Sequence, residues 1–311
     1  MPPYRFTCLI AASLLLACSR APAPAPVATA ASAPETAVLA LATHLKDNDL
    51  DGYARAAVPP DEYRRLEAAW RAQRSRWPLS ELPLEDQLAP LLATLSAPGA
   101  ERSLQQGYRR NFANQHKDLK QAARSLGLFG VQYVKREGAY TEQERSTYAQ
   151  VIEALSEWAV QAPLGDPGRS APAITTLTAA ARNTGLANDA AWAEAGMAET
   201  LQRLGPFFAA AKSVLADYGL PLDDSYASLR TEMVEQTGDR ATVRLRYPLG
   251  EREIDTVIAL QRRDGKWYRQ DTLRRVEAIL ADAESAADPE ELSADAPADE
   301  ENIKPAVEPA R

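Results

Sequence analysis

Arg240-Ala241-Thr242-Val243-Arg244-Leu245-Arg246-Tyr247 alternates polar and apolar side chains at every step. A period of two puts Ala241, Val243, Leu245 and Tyr247 on one face of an extended chain and the polar residues on the other, so the segment reads as a strand with one buried and one wetted side. Turn residues punctuate its surroundings: Gly238-Asp239 before it, Pro248 to Gly250 after it, and Asp264-Gly265 further on. The last separates 258–262 from 267–270 and signals a hairpin, because Asp-Gly suits the positive φ of a two-residue β-turn. Residues 226–271 therefore predict a four-stranded antiparallel meander. The strand over 252–262 carries apolar residues on both faces, Ile254, Ile258 and Leu260 against Val257 and Ala259, which predicts a central position.

Upstream, the period is helical. Thr141 precedes Glu144 by three residues, a capping box, and Tyr148, Val151, Ile152, Leu155 and Trp158 follow at helical spacing. Asn188-Asp189 opens a helix carrying Trp192; a separate one is expected from Pro206 through Phe207 and Leu215 to a stop at Gly219. Leu104, Tyr108, Phe112, Leu119, Ala122 and Leu126 outline one long helix ended by Gly127, and 61–77 is expected to be helical around Leu66 and Trp70. These stripes read as core, not as cofactor boxes. The expected fold class is α+β, predominantly α-helical: a multi-helix domain at 36–281 ending in the meander, with no internal repeat and no Gly-rich linker.

A helix over 37–49, a short element over 53–63 and a late hairpin reading Asp264-Gly265-Lys266-Trp267 resemble the secreted NTF2-like domains, cone-shaped α+β folds found in many bacterial lipoproteins. The likeness covers about a third of the chain, at its two ends, and roughly 150 helical residues intervene. Either a helical subdomain is inserted there, or the likeness is that of any late hairpin sheet. The resemblance implies a small-ligand pocket lined by Tyr247, Ile258 and Trp267, with Asp255 as its polar group.

Near the N-terminus Arg5 is the only charged side chain before an apolar run from Leu9 to Ala17, which closes in Leu15-Leu16-Ala17-Cys18. That run has the length of a signal peptide and falls short of the roughly 20 residues that span a bilayer. A Leu, small or apolar residues and then Cys resemble the lipobox of bacterial lipoproteins. The resemblance implies removal of residues 1–17, acylation of Cys18 by chains such as palmitate, and, with Ser19 following, a periplasm-facing address on the outer membrane of a Gram-negative bacterium. The alternative is an ordinary cleaved signal that leaves Cys18 a spectator. Since Cys8 lies within the signal, Cys18 would be the only mature thiol, a liability in an oxidising compartment unless modified. Each buried methylene contributes about 0.8 kcal/mol, so two or more acyl chains anchor stably.

Residues 18–35 alternate Ala and Pro and then run through small residues, an extended tether that at about 3.1 Å per residue spans roughly 50 Å. Residues 282–311 hold ten Asp or Glu against Lys304 and Arg311 and no aromatic residue, and are expected to be a disordered acidic tail. Their net charge equals the −8 of the whole chain, so residues 1–281 balance to zero.

Chemistry is sparse. His44 and His116 are the only histidines, so no Cys/His zinc cluster is available, and neither a nucleophile elbow, a P-loop nor a dinucleotide fingerprint occurs. No cofactor and no metal site is expected. Paired carboxylates remain a possibility for hydrolysis. Glu142 and Glu144 are better explained as first-turn helix residues and Asp223-Asp224 as a turn or cap. Asp255 is expected to point inward, with Arg244 or Arg246 on the neighbouring strand as its partner. Residues 102–136 carry Arg102, Arg109, Arg110, Lys117, Lys120, Arg124, Lys135 and Arg136 against Asp118. An envelope address argues against nucleic acid and leaves a solvated helix face, an anionic envelope component or the chain's own tail as readings. The leading expectation is a non-enzymatic, membrane-anchored binding or scaffold module for an envelope protein or component; the alternatives are the NTF2-like pocket and a carboxylate-based hydrolase using Asp255. The oligomeric state stays open.

Overall fold

The computed structural model describes residues 33–82, 85–137 and 140–286. Cys18, the signal and most of the tether, and residues 287–311 lie outside the described residues. The fold is α+β and mostly helical, with a four-stranded antiparallel sheet after the first ten helices and one helix behind it. In chain order the helices are α1 (Pro34–Lys46), α2 (Leu50–Ala57), α3 (Pro60–Arg71), α4 (Glu85–Ser96), α5 (Ala100–Asn111), α6 (His116–Arg136), α7 (Glu142–Gln161), α8 (Pro167–Thr184), α9 (Asp189–Asp217) and α10 (Leu222–Ala227). Strands β1 (Arg230–Thr237), β2 (Arg240–Leu249), β3 (Arg252–Arg263) and β4 (Lys266–Arg269) follow in spatial order 1-2-3-4, and α11 (Gln270–Ser285) closes the described fold.

The meander forms in the expected register. Val243 faces Ile258 and Tyr247 faces Ile254 across β2 and β3, and the Asp264-Gly265 turn carries both residues at positive φ. Ala241, Val243, Leu245, Leu249, Ile254 and Leu260 are buried on one face, as the alternation requires. The α7 capping box is also formed: the Thr141 hydroxyl accepts from Glu144 N, and the Glu144 carboxylate accepts from Thr141 N at 2.8 Å.

Three apolar clusters occur among the described residues; the smallest joins Ala154 of α7 and Leu220 to Leu249 and Ile254 of the sheet, and the other two are larger. Trp70, Trp77, Leu66, Met197 and Leu201, all fully buried, unite α3, α8, α9 and α11. Each such side chain contributes about 2–3 kcal/mol by leaving water. The second of the larger two lies on the sheet, where Val38 of α1 meets Val243, Leu260 and Trp267.

Several boundaries differ from the sequence expectation, each for a local reason. The long helix through 104–126 is two helices, because Asn114 takes a left-handed conformation (φ 62°) between α5 and α6. Gly127 does not end a helix: it sits buried inside α6, where a Cβ would lie 2.2 Å from Ser156 Oγ, so it permits close approach of α6 to α7. Pro206 lies within α9, and the interruption is at Gly196 (φ 71°, ψ −177°). There Glu67 accepts the N–H of Ala198 at 3.0 Å, capping the second half of the helix. The helix around Trp70 ends at Arg71, with Gln73 at positive φ, and Tyr226 belongs to α10, four residues before β1. Pro34 and Glu35, read with the tether, open α1. Residues 282–285, read with the tail, belong to α11, whose Leu273, Val276, Leu280 and Ala283 are buried, and Glu284 pairs with Arg65 at 2.5 Å.

Candidate functional site

β2 and β3 turn their apolar face toward α1 and α10, and the layers do not close completely. A cavity of about 360 Å³ remains between them. Leu41 and Leu45 of α1, Leu222 of α10, and Leu245 and Ile258 of the sheet form its apolar wall. Three phenols, Tyr53, Tyr226 and Tyr247, and the Arg269 guanidinium supply the polar part. Thr147 of α7 and Thr256 of β3, hydroxyl to hydroxyl at 2.5 Å, stand beside Arg269 and border a second crevice of about 460 Å³ along α7 and the start of α11.

Arg269 is fixed by what surrounds it. Its Nε donates to Asp271 Oδ1 at 3.1 Å and its Nη2 to Oδ2. Asp271 also accepts from Arg275 Nη2 at 3.0 Å and from Thr272 N at 2.9 Å, and Arg275 lies 3.5 Å from Glu81. Desolvation favours the neutral form of Arg269, yet the charge of Asp271 and the hydrogen bonds to it outweigh that and raise the pKa above the ordinary arginine value. For Asp271, burial pushes up while Arg269 and Arg275 pull down, and the net direction is down. About a third of the Arg269 side chain, 31 %, is accessible, and it opens onto the cavity.

The three phenols are held neutral. Burial raises Tyr53 against the pull of Arg269, raises Tyr247 in the same way, and with Tyr247 and Asp223 nearby pushes Tyr226 up to about 12. None of the three hydroxyls has a hydrogen-bond partner among the described residues. Each phenol hydroxyl can both donate and accept a hydrogen bond. Among the described residues the lining has no histidine and no carboxylate. Such a lining can bind and orient a ligand.

The sequence-derived pocket residues divide. Tyr247 and Ile258 line the cavity. Trp267 does not: it is 3 % exposed, sealed between Val38 and Leu260, with the Arg262 guanidinium 5.5 Å from its ring centre. Asp255 is on the opposite face of β3, 45 % exposed, bonded to Arg246 Nε at 3.0 Å and 3.4 Å from Arg244 Nε. The expected arginine partners are therefore present, but the carboxylate points outward, since parity along β3 puts it across the sheet from Ile254 and Ile258. Its backbone N–H and C=O bond to the Gln150 carboxamide at 3.0 Å each, so an α7 side chain takes the place of a neighbouring strand. His44 bonds to Asp49 at 2.9 Å. Asp223 is in the first turn of α10, where the buried Lys212 bonds to it and to the carbonyls of Leu45 and Lys46.

Arg269, Tyr53 and Tyr226 were missed in the sequence. For Arg269 a signal existed: it lies two residues after Trp267, on the same strand face. Among the described residues no group of three or more His, Cys, Asp or Glu side chains is placed to hold a metal ion. No family model matches the chain, and comparison with curated proteins and with solved structures yields no match.

Proposed function

We propose that this chain is a membrane-tethered, non-enzymatic binding module, anchored through acylated Cys18 at the outer membrane, whose site is the cavity between the sheet and α1 and α10. The observation that carries the reading is the pairing of an apolar wall with three unpartnered phenol hydroxyls and one cavity-facing guanidinium. Recessed apolar sites with a few convergent polar groups are the usual form of small-molecule pockets. The matching ligand is amphipathic: an aliphatic or aromatic body against Leu41, Leu45 and Ile258, and a carbonyl, hydroxyl or carboxylate head at Tyr247 and Arg269. The placement of α1 against the sheet and the closing Asp264-Gly265 hairpin support the likeness to NTF2-like cones. The outward, doubly paired Asp255 weighs against the hydrolase reading.

Thermal unfolding with a series of alkyl carboxylates and alkyl alcohols tests this. A rise in Tm that grows with chain length and then stops at the length the cavity holds is expected. Ile258→Trp, which fills the space, abolishes that rise while leaving the circular dichroism of the fold in place. A Tm indifferent to every amphiphile, in a protein purified free of bound lipid, refutes the pocket.

A further inference from the structure

Leu126, Leu128, Phe129 and Tyr133 of α6 are 69, 72, 67 and 50 % exposed. Leu126, Phe129 and Tyr133 follow i, i+3, i+7 spacing and form one stripe, with the Phe129 and Tyr133 rings stacked 6.2 Å apart. The opposite flank is basic: Lys117, Arg124 and Lys135 run along it, with Leu128 among them. α6 packs against α7 through Gly127 and Gly130, and among the described residues nothing covers this outer arc. Arg110, Lys117, Lys120, Arg124, Lys135 and Arg136 have no carboxylate partner among the described residues, whereas the sheet arginines Arg230, Arg246, Arg252 and Arg262 are all paired. Asp118 is the one acid within α6.

We propose that α6 lies on an anionic lipid surface, its stripe entering the acyl boundary and its cations meeting headgroup phosphates. Large apolar side chains on one flank and unpaired Lys and Arg on the other are the composition of an interfacial helix. No helix among the described residues is long and apolar enough to cross a membrane, so the contact is along the surface. Other occupants fit less well. Residues 287–311 match the charge but hold no aromatic residue and only Leu292, Ile303 and Val307 as large aliphatic ones. A second copy would set the same cations against each other. The contact would draw a tethered domain onto the surface, and it does not depend on the cavity having a ligand.

The test uses the full chain with Cys8→Ser and Cys18→Ser, an environment-sensitive fluorophore at Gln132→Cys, and a control carrying it at Thr237→Cys on the sheet. Both keep residues 1–32, so the apolar N-terminal run contributes equally. With vesicles about one-third phosphatidylglycerol and nitroxide-labelled acyl chains, the probe at 132 is quenched and blue-shifted and that at 237 is not. Replacing Lys117, Lys120 and Arg124 by Glu weakens the effect about tenfold or more. Equal quenching at the two positions overturns the proposal. So does a probe at 132 already shielded without vesicles, either freed by removing residues 287–311, which makes the tail the occupant, or shielded in step with protein concentration, which makes it a second copy.

Discussion

α6 and α9 are both long, and both repeat apolar side chains at helical spacing, yet they stand in opposite surroundings. α9 has neighbours around most of its circumference: α8, α3, α2 and α10 pack on it, and Leu201, Leu204 and Phe207 are buried. α6 has α7. Its buried positions, Gly127, Val131 and Val134, are the small ones, while its large apolar side chains face outward. A helical stripe therefore records that a face is apolar. How many sides of a helix acquire neighbours depends on the rest of the chain, and at α6 the large side chains Leu126, Leu128 and Phe129 stay exposed.

Truncation gives the sharpest way to break this contrast. Leu201→Ala in α9 leaves a cavity in a fully buried site and costs about 2–5 kcal/mol of unfolding free energy, whereas Leu126→Ala in α6 changes it by less than about 0.5 kcal/mol. Denaturant titrations of the two variants compare them directly, and equal losses would mean that α6 is covered in solution. Next in size is Gly127→Val. The new Cβ collides with Ser156, so the α6–α7 contact opens at a cost of about 1–3 kcal/mol. Ser156→Gly in the same chain recovers part of that loss; no recovery would show that Gly127 is needed for its backbone and not for the space.

Charge repeats the contrast between enclosed and open. Asp271 is mostly enclosed and doubly paired, and its pKa is lowered in the fold. A carboxylate with a depressed folded pKa adds stability that is fully present above its unfolded value, about 4, and is lost as the pH falls through the folded one. Asp271→Asn should cost about 1–2 kcal/mol at neutral pH, the partial solvent access of the pair limiting the loss. It should also flatten the decline in stability below pH 4. Lys117→Ala and Arg124→Ala, with no partner to lose, leave both the midpoint and the acid limb where they are. The pH dependence of urea midpoints for the three variants reads this out.

The candidate site was half legible. Alternation along β2 places Tyr247 inward and the Asp-Gly turn sets the β3–β4 hairpin, so two of its residues follow from the pattern of neighbours in sequence. Asp255 was misread because apolar Val257 and Ala259 share its face, and on this sheet they lie on the outer side. Trp267 was misread because an inward residue can be packed solid or can line a space, and only the position of Val38 decides between them. α11 was missed although Leu273, Val276 and Leu280 are spaced as a helix, because the acids at its end resemble the tail that follows.

What the sequence determined by itself are features whose causes span a few residues: the capping box at Thr141, the alternation of β2 and the turn at Asp264-Gly265. Each rests on dihedral preference or on groups within reach along the chain. The tertiary structure decided what depends on segments far apart in sequence: that Gly127 is a contact with Ser156 and not an end, that Arg269 looks into a space bounded by Tyr53 of α2 and Tyr226 of α10, and that no described residue is laid over the apolar side of α6. A pattern fixes the direction a side chain takes from its own backbone; the meeting of distant elements fixes what it finds there.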